Sequence, residues 1–314
     1  MVPPPDVSVV IPTKNGGALL GAVLDAVCGQ SASFPFEVLI LDSGSTDGSP
    51  QLVRDRAREN EHLRLVSIPP ESFGHGRTRN RGIAETAGRF VAFLTQDATP
   101  VSPSWIQELV EPLRRDDRVG GAFGKHVPYP HSRLYSRRDV TLHFEWIALY
   151  PEVIGLDDVR SHAGDPGFKQ VAHFFSDCNS VVRRRTWEEI PYPDVAFGED
   201  QVWAERILAA GWKKAYAAEA PVYHSHDFRP GEMFRRQRVE AAFFRREFGY
   251  RVCPGLPALA AGFARSVLAD YQFGRRTAGR VSSLVAALAD APVNLARMCG
   301  QYAGTRGPSR IRPS

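Results

Sequence analysis

A chain of 314 residues, 43% apolar and 24% charged, has room for one large domain or two ordinary ones and is too apolar to be disordered. Its four cysteines (Cys28, Cys178, Cys253, Cys299) stand far apart with no CxxC pair, no apolar run approaches the ~20 residues that cross a bilayer, and the start lacks the basic and apolar regions of a secretory signal; this argues against a disulfide scaffold, a cysteine-built zinc site and an integral membrane protein, and predicts a cytoplasmic one. The net charge of +4 is unevenly divided: from Arg229 onward there are 15 Arg, no Lys and 5 acids, or +10 over 86 residues, which leaves −6 on the rest.

Val7 to Ile11 is β-branched and apolar, ends at Pro12, and reads as a strand buried on both faces. Leu19, Leu20, Val23, Leu24 and Val27 recur at helical spacing. Residues 36–41 form a second buried strand that runs into the turn-rich stretch 42–48, and Leu52, Val53 and Ala57 give the next helix its apolar face. Residues 63–68 are a third strand, 78–87 a helix, and 89–94 a fourth strand. Strand and helix thus alternate four times in the first hundred residues, which calls for a mostly parallel α/β sheet with helices on both faces.

Polar residues gather just past the strand ends: Thr13 and Lys14, then Asp42, Ser43 and Asp47, then Gln96 and Asp97. In an open α/β sheet ligands bind at the carboxyl ends of the strands. Any one of these side chains is also an ordinary turn or cap residue. Three successive clusters favour a nucleotide site. The first strand is not followed by GxGxxG, and no GxxxxGK[ST] occurs, so neither a dinucleotide fold nor a P-loop is indicated.

The stretch 125–180 has aromatics, a Gly-Asp-Pro-Gly turn at 164–167 and little periodicity, and suits a substrate-facing region or a covering layer for the sheet. Beyond it come the apolar pair Val181 and Val182, the acidic step Gly198, Glu199, Asp200 opening a helix that ends at Gly211, and a strand over 214–223 closed by His224, His226 and Asp227. A helix spans 231–248, and the tail from Pro254 is rich in Ala, Leu, Gly and Arg.

Taken in order, VSVVIPT at 7–13, LDSGSTDG at 41–48, RNRG at 79–82, the strand ending at Asp97, GED at 198–200 and VYH at 222–224 resemble the family 2 glycosyltransferases of GT-A fold, which use nucleotide-sugar donors. FGHGRTRN at 73–80, LTQDA at 94–98 and VYHSH at 222–226 look most like the bacterial rhamnosyltransferases of that family.

The resemblance implies roles. Pro12 and Thr13 line the base pocket, and Asp42, followed by Ser43, accepts the imide N–H of a uracil or thymine ring. Arg79 lies near the diphosphate, where a guanidinium grips two phosphate oxygens; Asn80 supports the same helix or touches the nucleotide. The family's Asp-x-Asp is here Thr95, Gln96, Asp97, so Asp97 is left to hold Mg²⁺ or Mn²⁺ with His224, and His226 is a second imidazole at strand spacing. Asp200 is the expected base for an inverting transfer, with Glu199 orienting the acceptor; both also suit the positive end of a helix.

The implied activity is transfer of L-rhamnose from dTDP-L-rhamnose to a lipid-linked or polysaccharide acceptor. The alternatives are a UDP-hexose or UDP-N-acetylhexosamine donor, or a silent nucleotide-sugar-binding scaffold. The expected organisation is a catalytic domain over 1–228, with its nucleotide part about 1–125 and its acceptor part about 126–228, and a basic helical region over 229–314. In that region apolar stripes flanked by Arg suit an anionic membrane surface, packing on the body or a homo-oligomer contact. No nucleic-acid reading motif is present, so nucleic acid is not an expected partner.

Overall fold

The computed structural model describes residues 4–306 and divides the chain into two compact units. The first runs to Val127 and adds Phe144–Val195 and Glu199–His224; the second comprises Pro128–His143, Ala196–Gly198 and the chain from Ser225 on.

In chain order the elements are β1 (Val7–Thr13), α1 (Gly17–Cys28), β2 (Phe36–Asp42), α2 (Ser49–Glu59), β3 (Leu63–Ser67), α3 (His75–Ala84), β4 (Phe90–Leu94), β5 (Thr99–Pro100), α4 (Trp105–Arg115) and β6 (Val119–Val127). They continue with α5 (Leu134–Ile147), β7 (Val153–Ile154), α6 (Leu156–Ser161), α7 (Pro166–His173), β8 (Asn179–Arg183), α8 (Arg184–Glu189), α9 (Glu199–Ala209) and β9 (Lys213–Tyr223). Three long helices follow: α10 (Pro230–Phe248), α11 (Leu256–Gly274) and α12 (Arg280–Arg306).

All the described strands join one sheet in the first unit, ordered β3-β2-β1-β4-β8-β6-β9-β5 with β7 on β9. The ladders among β1, β2, β3 and β4 and between β6 and β9 are parallel; β8 is antiparallel to β4 and β6. This is the mostly parallel, helix-covered sheet with a helical carboxyl-terminal region that the sequence predicts. β1 is the central parallel strand, and Val7, Val9, Val10 and Ile11 are fully buried.

β1 continues through Pro12 to Thr13 instead of stopping at the proline. The Thr13 carbonyl accepts from Ser43 N at 2.9 Å, so odd positions face β2 and Pro12 faces the β4 side. Pairing with β4 ends at Val10, so the missing N–H of Pro12 costs no ladder bond.

α3 starts and ends earlier than its periodicity predicts. Thr86 Oγ1 donates back to the carbonyls of Gly82 and Ile83 at 2.9 and 3.0 Å, which closes the last turn. At the front, the helix takes in Gly76, a position that must be glycine because a Cβ there would stand 2.1 Å from the Pro193 carbonyl oxygen. The aperiodic middle holds α5, α6 and α7. Ile154, Phe168, Val171, Ala172 and Leu208 pack together there, a small core beside the main one.

Candidate active site

The carboxyl ends of β1, β2 and β4 open into a cleft of about 250 Å³ lined by Pro12, Thr13, Ser43, Arg79, Gln96 and Asp97, among others. Register places these groups together: Thr13 pairs with Asp42 at the ends of β1 and β2. The loops are tied to each other. Asp42 is almost fully buried, and its carboxylate accepts from the backbone N–H of Gly44 and Ser45, both at 3.2 Å. Ser43 Oγ donates to the Thr13 carbonyl at 3.1 Å. Gln96 clasps the Lys14 backbone from both sides, accepting its N–H at 2.9 Å and donating to its carbonyl at 3.1 Å. Asp47 receives Gly17 N at 3.0 Å; a hydrogen bond from Ser49 foremost holds its carboxyl below the usual range. Asn80 is taken up by structure: its amide donates to the Tyr192 carbonyl at 2.9 Å and accepts from Trp187 Nε1 at 2.7 Å and Tyr192 N at 3.0 Å.

Arg79 also lines the cleft, and behind it lies a buried charge cluster that the sequence does not announce. Its Nε is 2.7 Å from Asp177 Oδ2 and its Nη1 is 2.6 Å from Glu199 Oε1, with all three side chains under 10% exposed. Burial works against the guanidinium's charge, but Asp177 and Glu199 outweigh it and raise its pKa. Asp177 is further held by Ser180 Oγ at 2.6 Å and Tyr192 OH at 2.9 Å. Asp200 is the third carboxylate. It accepts from Gln201 N at 2.8 Å and Asp177 N at 3.3 Å. Burial first, then the negative charges of Glu199 and Asp177, push the Asp200 carboxyl well above its ordinary range. Burial likewise raises Asp177, against the pull of Arg79.

β5 brings the metal candidates together. Thr99 and Pro100 pair antiparallel with Tyr223 and Val222, which seats Asp97 beside His224: Oδ1 and Nδ1 are 3.6 Å apart. A carboxylate oxygen and an imidazole nitrogen at that spacing are a donor set that fits Mn²⁺ or Mg²⁺. The His126 ring lies 5.2 Å from that of His224. His226, two positions on, belongs to the second unit, where its ring stacks at 5.2 Å on Phe228 and its carbonyl accepts from Tyr135 OH at 3.2 Å.

Sequence reasoning missed Asp177, Tyr192 and His126. For Asp177 the polar run Ser176 to Ser180, leading into β8, was the available signal, and it lay in the aperiodic middle.

The sequence profile described as "Glycosyl transferase family 2" matches residues 8–190. The chain is 30% identical over 233 residues to the O-antigen chain rhamnosyltransferase RfbN of Salmonella typhimurium, covering 73% of this chain and 69% of that one. It is 28% identical over 242 residues to the O-antigen chain rhamnosyltransferase WbaN of Salmonella anatum, covering 74% and 70%. Among solved structures, it resembles the mannosyltransferase PcManGT of Pyrobaculum calidifontis, in complex with GDP-Man and Mn²⁺, with a TM-score of 0.61 at 19% identity over 92% of this chain and 88% of that one. S. aureus TarS 1–349 in complex with UDP-GlcNAc gives a TM-score of 0.53 at 16% identity, covering 95% and 91%.

Proposed function

Since the chain belongs to glycosyl transferase family 2, and is therefore a glycosyltransferase, we propose that it moves L-rhamnose from dTDP-L-rhamnose, with inversion, to a lipid-linked or polysaccharide acceptor in the synthesis of a cell-surface glycan. The observation that carries the chemistry is Asp200, a half-buried carboxylate of raised proton affinity at the start of α9. The sugar rests on the two rhamnosyltransferase relatives, which the chain matches over more than two thirds of their length.

Asp200 takes the proton of an acceptor hydroxyl as its oxygen attacks the anomeric carbon. The bond from that carbon to the diphosphate oxygen breaks, and the nucleoside diphosphate leaves with the electron pair. A base whose pKa is raised holds the proton better than an ordinary carboxylate. Glu199 is anchored to Arg79 and so fixes the start of α9, on which Asp200 sits. Pro12, Thr13, Asp42 and Ser43 shape the base pocket, with Gln96 and Asn80 bracing its walls from behind. Arg79 presents the edge of its guanidinium to the diphosphate. Asp97 and His224, with His226 two positions on as a third ligand, would hold a divalent ion. When bound, that ion neutralises charge on the leaving diphosphate. The catalytic part of the chain is 1–228, and 229–314 is a basic helical extension.

A thermal-shift panel of dTDP-, UDP- and GDP-sugars with Mn²⁺ or Mg²⁺ tests this. Ligand at 100 times its Kd adds about 2.7 kcal/mol of stability. The largest shift is expected with dTDP-L-rhamnose and metal, and Asp97→Ala should lose the metal-dependent part of it. A larger shift with a UDP-hexose overturns the donor assignment, and an unchanged metal response in Asp97→Ala overturns the metal site.

A further inference from the structure

α11 and α12 bury polar groups and expose apolar ones. Their inward face holds Asp270, Ser283, Asp290 and Asn294, at most 3% exposed, beside the buried Ala287 and Val293. Asp270 pairs with Arg138 at 2.8 Å and accepts from Asn294 Nδ2 at 2.5 Å. Asp290 pairs with Arg133 at 2.6 Å and takes the Tyr135 N–H at 2.8 Å. The outward face is apolar. Val281, Leu284, Val285, Leu288 and Leu295 are 76, 49, 62, 57 and 43% exposed, and steps of 3, 4, 7 and 14 from Val281 put them on one side of α12. Between Arg280 and Arg297 the only charged residue is the buried Asp290, so that outer face carries no charge. On α11, Leu256 and Leu268 are 64 and 53% exposed. A helix facing water has the opposite arrangement.

The cations sit at the tip. Arg275, Arg276 and Arg280 are all exposed where α11 turns into α12, and no acid occurs from 271 to 289. We propose that this hairpin docks on an anionic lipid bilayer, its outer apolar face in the headgroup boundary and its arginine tip on the lipid phosphates. No described helix is long and apolar enough to cross a membrane, so the hairpin lies in the interface. Charge selects lipid over a second copy of the chain. The second unit holds 18 Arg, no Lys and 7 acids, or +11, and self-association through this face would bring like charge to like. An anionic leaflet complements it. The proposal is independent of which sugar is transferred.

Flotation of the full chain with phosphatidylcholine vesicles, with and without phosphatidylglycerol, at low and high salt provides the test. Binding is expected only with phosphatidylglycerol and should weaken with salt. The triple change Arg275→Gln, Arg276→Gln, Arg280→Gln should reduce partitioning ~100-fold. Leu284→Ser, Val285→Ser, Leu288→Ser together should also release the protein. All six positions are exposed, so the thermal midpoint without vesicles should fall only slightly, by the lost Arg276 contact with the Phe273 ring and the lower helix propensity of serine. V285W should shift its emission to the blue on anionic vesicles. Absence of flotation overturns the proposal, as does flotation that neither triple change affects. So does self-association, or oligonucleotide binding, that the same changes abolish while vesicles go unbound.

Discussion

Asp200 serves chemistry and stability in opposite directions. Burial and the neighbouring carboxylates of Glu199 and Asp177 raise its pKa in the folded state. The native state therefore holds this proton more tightly than the unfolded chain does. Stability falls as pH rises from the ordinary carboxylate value, about 4, and the loss is complete above the raised folded value. Asp200→Asn removes that charge. It should unfold at a higher temperature than the wild type at neutral pH, with the gain disappearing below pH ~4. Turnover should fall by about 10² or more while the donor-induced thermal shift persists. Near-wild-type transfer, or a lower midpoint at neutral pH, contradicts the assignment. Glu199 and Asp200 are legible in sequence because an acidic pair after a glycine marks a helix start. Their partner Arg79 lies 120 positions from Glu199, and Asp177 and Tyr192 join them only through the fold. An arginine near a strand end reads naturally as a phosphate ligand, and its two ion pairs leave no trace in the sequence.

At the scale of elements, β1 to β4 are legible because strands buried on both faces are continuous apolar runs. β6 is not, since its VGGAFGKHV carries three glycines that read as breakers. Packing demands all three: a Cβ on Gly120 would stand 2.8 Å from Thr186 Cγ2, one on Gly121 2.9 Å from the Trp203 ring, and one on Gly124 2.5 Å from the Ala220 carbonyl oxygen. α4 is hidden by its internal Pro112. The same close approach governs the second unit. Gly300 and Gly304 of α12 face the backbone of Phe234 and Arg238 on α10, where a Cβ would lie 2.5 and 2.3 Å from the two carbonyl oxygens. Gly304→Ala gains up to about 1 kcal/mol in helix propensity. The backbone clash costs about 1–3 kcal/mol, because carbonyl oxygens cannot turn aside as a flexible side chain can. The net result should be a lower urea midpoint. Gly279→Ala, where nothing lies within 4 Å, should stay within about 0.5 kcal/mol of the wild type. Equal midpoints for the two variants contradict this packing.

On the scale of the whole molecule, charge and chain order divide differently. The positive charge concentrates in a second unit that draws on three separate stretches, and its last helix holds the first of them in place. Asp290 of α12 binds Arg133 and the Tyr135 N–H, Arg297 binds Asp139, and Asp270 of α11 binds Arg138. Val293 of α12 packs with Tyr135 and with Met233 of α10, all under 5% exposed. Ending the chain after Pro254 therefore does more than remove a surface. It removes Asp270, the buried partner of Arg138, together with the helices that cover that arginine, and it uncovers Tyr135 and Met233. A domain is stable by only about 5–15 kcal/mol, so the remainder of the second unit should not hold its fold. The truncated chain should bind a hydrophobic dye and aggregate at concentrations where the full chain is clear. The hairpin triple changes should do neither. A truncated chain that stays monodisperse with no added dye uptake would mean that α11 and α12 are an appendage, not part of the unit's core.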